Sequence, residues 1–216
     1  RSRGLGDVYK RQIQENGETL ARLDKEKGQQ YKEQAMQELS ALGVTFPISV
    51  DYYISASNQT ALDSANVLKQ VFSDSFGDDF IQLNIKTFIK SLRQEVVQAH
   101  LQSFVNNGWG ADYNDPKNYL GQTVIGNDNA WYSSAYSNIN KVEENETNKE
   151  LLDSYRTYTE MVEKADAITK DMDARYEAFA DAEAYTLEKA HMLPCYYNVG
   201  WCLTRYNVHA EFSGSR

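Results

Sequence analysis

The stretch that decides the fold is residues 108–120, which read GWGADYNDPKNYL. It places Trp109 between two glycines and follows the ring with two carboxylates, Asp112 and Asp115. The glycines allow a close backbone approach or a positive φ, and the Asn114-Asp115-Pro116 sequence is typical of a turn. An aromatic ring beside a fixed carboxylate is suited to hold a cationic, partly apolar ligand.

An apolar pair, Phe104 and Val105, leads into this stretch and predicts a buried strand that ends just before it. Open α/β sheets bind their ligands outside the carboxyl ends of their strands. We therefore expect the two carboxylates to lie at such an end.

The same stretch resembles the segment GW-x-ADY-x-(D/E)P-x-x-(F/Y)L of the oligopeptide- and dipeptide-binding proteins that serve ABC importers, the extracellular solute-binding proteins of family 5. Trp109, Asp112, Pro116 and Leu120 match that segment in register. The resemblance extends over about residues 31–207, and it implies a C-terminal fragment of such a protein. The implied fold class is α/β: a partial periplasmic-binding-protein-like (type II) fold, mostly one lobe plus the start of the return to the other lobe.

The resemblance also implies the site residues. In that family the aspartate of ADY pairs with the free α-amino group of a bound peptide, so Asp112 takes this role. Trp109, Gly110 and Tyr113 complete the implied ligand-binding set. Neither a catalytic residue nor a metal ligand is implied, and no cofactor.

A substrate-binding component of an ABC importer is the function that the resemblance implies. Such a protein is extracytoplasmic, in the periplasm or at the outer face of the cell membrane, and clasps a short peptide for the permease subunits. It is expected to be monomeric when full length, with any lipid anchor or signal upstream of this chain.

Other functions stay open. The same fold serves opines, nickel complexes and oligosaccharides, although Asp112 favours ligands with a free amine over sugars. Asp112 and Asp115 could instead form the acid–base pair of a hydrolase, but no serine–histidine or cysteine–histidine arrangement is suggested. A helical interaction module built on the acidic helices after residue 149 is a third alternative.

Composition sets further bounds. The 216 residues are 41% hydrophobic, enough for a core, and the formal net charge is −9. A nucleic-acid partner would require a basic surface, so this balance argues against one, and solubility alone accounts for an acid excess. Cys195 and Cys202 fit no zinc spacing; a disulfide and two free thiols both remain possible.

The sequence also predicts how the chain is divided. Residues 2–12, SRGLGDVYKRQ, resemble a translated sequencing adapter, since DVYKRQ back-translates to a transposase-type adapter. We therefore expect an artefactual segment over residues 1–12. Residues 13–190 are predicted to form an incomplete α/β lobe, and residues 191–216 a truncated return toward the other lobe.

Hydrophobic periodicity predicts the elements. We expect helices over residues 31–42, 58–77 and 90–101. Strands over residues 46–54, near 81–85 and at Phe104 are expected to alternate with these helices and to form one parallel sheet. A polar loop with a short helical part is expected over 121–148. Helices over 149–164 and 171–189 and a short strand over 192–197 follow. The second of these helices is expected to face inward with Tyr176, Phe179, Ala180, Ala184 and Leu187.

Overall fold

The computed structural model describes residues 25–195, and the chain divides into two compact units between Asn107 and Gly108. Residues 2–12, Cys202 and the end of the last predicted strand lie outside the described residues, so the division at residues 12 and 190 stays a prediction.

The first unit has the predicted strand–helix–strand order. It contains α1 (Lys25–Ala41), β1 (Ile48–Ser55), α2 (Gln59–Phe76) and β2 (Ile81–Phe88). β1 and β2 are parallel and in register from Ile48 opposite Ile81 to Ser55 opposite Phe88. The α/β prediction is therefore confirmed here.

Helix α2 begins and ends where its sequence predicts. The Asn58 side chain accepts the Ala61 N–H at 3.0 Å, which satisfies one of the unpaired donors at the helix start. Gly77 follows the last turn with φ of +77°. Residues with a Cβ rarely adopt this backbone conformation, so the positive φ favours glycine at this position.

The predicted helix over 90–101 and the third strand were wrong in extent. A π-helical turn, Arg93–Val97, replaces the helix, and the Glu95 carboxylate accepts the backbone N–H groups of residues 89–91 at its start. Phe104 makes only an isolated parallel bridge to Tyr52, with the two rings stacked at 4.9 Å. Two asparagines and a glycine follow Val105, and these residue types disfavour a strand.

The second unit is helical. It contains a short α3 (Lys117–Leu120), a π-helical turn (Tyr132–Tyr136), a 3-10 turn (Ile139–Lys141), α4 (Lys149–Asp166) and α5 (Met172–Glu188). The two long helices were predicted and pack against each other. Their shared core consists of Leu120, Val124, Ala130, Tyr158, Val162, Ala165, Phe179 and Ala182.

The predicted inward face of α5 was wrong in part. Phe179 is buried as expected, but Tyr176 is 37% exposed. The buried positions of α5 are Arg175, Phe179, Ala182 and Thr186. Arg175 can be buried because carboxylates and carbonyls surround its guanidinium. A hydrophobicity pattern does not predict such a buried charge.

The helix predicted over residues 31–42 is present but begins earlier, as α1 (Lys25–Ala41), and Tyr31 and Leu42 are both exposed. Residues 192–195 are not in a strand. Over residues 25–195, no helix has both the length and the apolarity needed to cross a bilayer.

Candidate functional site

Trp109 is half-buried and held on two sides. Its indole N–H donates a hydrogen bond of 2.7 Å to Asn118 Oδ1. Its ring meets Tyr132 edge to face, with centroids 6.4 Å apart, a favourable geometry for aromatic pairs. The ring is therefore fixed from α3 and from the π-helical turn.

Asp112 is held in place through its backbone alone. Its N–H donates to the same Asn118 Oδ1 at 3.3 Å. The side chain is exposed, and no residue among 25–195 forms an ion pair or hydrogen bond with its carboxylate. A positioned backbone with an unpaired carboxylate leaves the charge available to a cationic ligand.

The other two predicted site residues lie beside it on the surface. Gly110 and Tyr113 are both exposed. The expectation that the glycines permit a positive φ or a close approach was wrong, because neither Gly108 nor Gly110 has a positive φ. A Cβ built on either glycine meets no atom within 4 Å.

Asp115 has a different environment from Asp112. Its Oδ1 accepts the Lys117 N–H at 2.9 Å, which confirms the predicted turn. Its carboxylate also pairs with the Arg175 guanidinium, with Nη2–Oδ1 at 3.1 Å and Nε–Oδ2 at 3.3 Å. A carboxylate engaged by an arginine fork is a poor general acid or base, so this contact argues against the hydrolase alternative.

Arg175 joins three segments of the second unit while only 8% exposed. Besides Asp115, it donates to Asp166 Oδ1 at 2.8 Å and to the carbonyls of Ala165, Asp166 and Ile168. Ala165 and Asp166 lie in the last turn of α4, where C=O groups have no partners within the helix, and Ile168 follows that turn. The guanidinium also lies 4.8 Å from the Phe179 ring centroid.

Asp166 completes this network. Burial alone would raise its pKa, but the hydrogen bonds from Lys117 and Arg175 outweigh burial and hold the pKa of Asp166 below its usual range. The acid therefore stays ionised and keeps both cations in place.

Asn118 and Arg175 contact the motif in ways that the sequence did not reveal. Asn118 lies inside the motif, but at a position where the family segment specifies no residue. Arg175 lies sixty positions after Asp115, on a helix with regular spacing and no turn signal. A buried polar partner at such a distance leaves no local pattern to read.

The structure brings together a serine and a histidine, Ser154 and His191, that the sequence did not suggest as a pair. The His191 Nε2 lies 2.8 Å from Ser154 Oγ, and its ring stacks on Tyr155 at 3.9 Å. The Ser154 hydroxyl, however, donates to the Leu151 carbonyl at 2.7 Å. Nε2 must then donate to the serine oxygen, so the imidazole does not act as a base toward Ser154. The pair is structural.

Metal binding has no support in the described part of the chain. Within residues 25–195, no group of three or more histidine, cysteine, aspartate or glutamate side chains is placed to hold an ion.

No protein-family model matches the chain. The oligopeptide-binding protein AliB of Streptococcus pneumoniae is 28% identical over 168 residues, covering 74% of this chain and 25% of AliB. The chain is a homologue of oligopeptide-binding proteins. SarA of Streptococcus gordonii, also an oligopeptide-binding protein, is 25% identical over 178 residues, covering 79% of this chain and 26% of SarA.

Solved structures support the fold. The substrate-binding domain of an oligopeptide ABC transporter from Bacillus anthracis has a TM-score of 0.58 at 18% identity, covering 83% of this chain and 30% of that one. The structure of the pheromone receptor PrgZ, determined for its mode of peptide binding, has a TM-score of 0.56 at 19% identity, covering 81% of this chain and 28% of PrgZ. The predicted partial type II fold and the family resemblance are confirmed.

These homologues are much longer than the chain. It spans about a quarter of the length of the curated relatives that it matches, 25% of AliB and 26% of SarA. These homologues are binding proteins and not enzymes, which agrees with the interpretation of Asp115.

Proposed function

We propose that the protein carrying this chain captures short peptides outside the cytoplasm for an ABC importer. In this proposal Asp112 pairs with the free α-amino group of the peptide. Trp109, Gly110 and Tyr113 line the same part of the site, and the peptide backbone supplies further hydrogen bonds in the manner of an added strand.

The contrast between two carboxylates supports this proposal. Asp115 is neutralised by Arg175 and serves the turn, whereas no residue among 25–195 pairs with the exposed Asp112 carboxylate. The Trp109 ring is bound to the same amide oxygen as the Asp112 backbone. An unpaired anion beside an aromatic ring matches an ammonium group on a partly apolar ligand.

Partners and location follow from the proposed role. Such a protein would deliver its ligand to permease subunits of the importer and act in the periplasm or at the outer face of the membrane. It requires no nucleic acid and no cofactor, and it acts as a monomer when full length.

Calorimetric titration of the complete protein with a peptide and its N-acetylated form tests the role of Asp112. Asp112→Asn should cost ~2 to 5 kcal/mol of binding free energy, because an ammonium in a closed site then lacks its counter-charge. Acetylation should weaken wild-type binding by a similar amount and the Asp112→Asn protein hardly at all.

Asp128→Asn is the matched control, since it removes an exposed carboxylate of the same unit outside the motif. It should leave affinity and the effect of acetylation unchanged. If acetylation weakens wild type and Asp112→Asn equally, Asp112 is not the amine partner.

A further inference from the structure

Asn118 is the most deeply buried polar side chain of the motif. It lies within α3 and is 3% exposed. Buried amides need partners, because an unsatisfied polar group in the interior is costly. The partners of Asn118 are therefore informative about what it does.

The Asn118 side chain connects two of the proposed ligand residues. Its Oδ1 accepts the Trp109 indole N–H at 2.7 Å and the Asp112 backbone N–H at 3.3 Å. An amide oxygen has two lone pairs, so one atom serves both donors. One oxygen atom of Asn118 therefore fixes the positions of both the Trp109 ring and the Asp112 backbone.

Asn118 and the short helix α3 are themselves held in place by several hydrogen bonds. The Gln122 side chain donates to the Asn118 carbonyl at 2.9 Å, and Asp115 Oδ1 accepts the N–H at the start of α3. The buried Tyr158 hydroxyl donates to the Leu120 carbonyl at 2.8 Å and holds the end of α3. A helix of four residues has little stability of its own, so these contacts fix it.

We propose that Asn118 is a positioning residue that sets the Trp109 ring and the Asp112 backbone relative to each other. Because the carboxylate and the ring must meet one ligand together, a displacement of either weakens binding. The effect on ligand rests on the proposed function, whereas the effect on Trp109 and Asp112 does not.

Two readouts on the complete protein test the proposal. The first is solvent exchange of the Trp109 indole N–H, followed by NMR in protein labelled with ¹⁵N-tryptophan, with Trp109→Phe identifying the signal. The second is affinity for a short peptide with a free amine, measured by calorimetry. Asn118→Leu removes the acceptor, whereas Asn118→Asp retains an oxygen in its place.

Asn118→Leu should speed indole exchange roughly tenfold or more and weaken peptide binding roughly tenfold to a hundredfold, since two donors lose their acceptor. Asn118→Asp should retain slow exchange and most of the affinity. Should Asn118→Leu not fold, Asn118→Ala removes the same acceptor with less added bulk.

Asn145→Leu is the control for a general loss of stability. Asn145 orders the turn before α4, where its Oδ1 accepts the Thr147 N–H at 2.9 Å and the Asn148 N–H at 3.1 Å, and these bonds involve neither α3 nor the π-helical turn that holds Trp109. It should lower the melting temperature and change neither readout.

The outcomes separate the two proposals. Unchanged indole exchange in Asn118→Leu overturns the positioning role, whatever the peptide does. If Asn118→Leu exchanges its indole proton faster but binds peptide with full affinity, Asn118 is not important for binding. If wild type binds no peptide, the proposed function fails, and the indole exchange still decides whether Asn118 holds Trp109.

Discussion

Asp112 and Asp115 lie three positions apart, yet their carboxylates have different tasks. Asp115 is enclosed by Arg175 and the N–H of Lys117. Asp112 uses only its backbone within the described residues and leaves its charge exposed. Sequence alone distinguishes them only through the proline after Asp115, which indicated its turn but not its ion pair.

Arg175→Met should lower the free energy of unfolding of the unit by about 3 kcal/mol. Removing one partner of a buried ion pair leaves the other charges uncompensated, here those of Asp115 and Asp166. Urea unfolding measures the change. Arg156→Met is the control, because Arg156 pairs with Glu144 and Asp153 at the surface and should matter little. Equal losses in both variants would contradict a special role for Arg175.

Glu183 should make stability depend on pH. Burial raises the pKa of this carboxyl from 4.5 to about 7. Because the folded state then binds the proton more tightly, the stabilisation is complete below pH 4.5 and is lost as the pH rises through about 7. Glu183→Gln, which cannot ionise, should therefore be more stable than wild type at pH 8 and gain little at pH 5.

Melting temperatures of both proteins from pH 5 to 8 test this prediction. His191 changes stability with pH in the opposite direction. Its pKa is lowered mainly by burial and also by the nearby Lys189. The stability that neutral His191 contributes is complete above pH 6.5 and decreases at lower pH, equally in wild type and Glu183→Gln. The difference between the two curves therefore isolates Glu183, and parallel curves would show that its carboxyl is not perturbed.

At the scale of elements, α2 illustrates a helix that its own sequence specifies. Asn58→Ala removes the side-chain acceptor for the Ala61 N–H and should cost about 1 kcal/mol of stability. Asn58→Asp keeps an acceptor at the helix start and should be nearly neutral. Chemical unfolding, with hydrogen exchange in the first turn of α2, provides the measurement. An equal loss in both variants would indicate that the cap is not responsible.

Other elements were predictable only in part. The spacing of α5 identified a helix over the correct residues, yet its buried face includes Arg175 and excludes Tyr176. Phe104 was expected to form a strand, but ring stacking with Tyr52 accompanies a single bridge. Hydrophobic periodicity reports average burial along an element, so it misses a buried charge that is compensated from elsewhere in the sequence.

At the scale of the whole molecule, the proposed function predicts stabilisation by ligand. A peptide with a free amine at a hundred times its Kd should stabilise the complete protein by about 2.7 kcal/mol, because it binds only the folded state. Thermal melts with and without peptide measure this effect. The N-acetylated peptide at the same concentration should raise the melting temperature much less. Equal stabilisation by both peptides would indicate a site that does not recognise the amine.

The sequence by itself determined the α/β order of the first unit, the ends of α2, the two long helices and the motif with its turn. These features depend on neighbouring residues, through periodicity, capping and turn chemistry. Only the tertiary structure decided which carboxylate is left free and which amide joins Trp109 to Asp112. Those outcomes depend on Arg175 and Asn118 reaching particular oxygens and donors, and such directional contacts are set by packing in three dimensions.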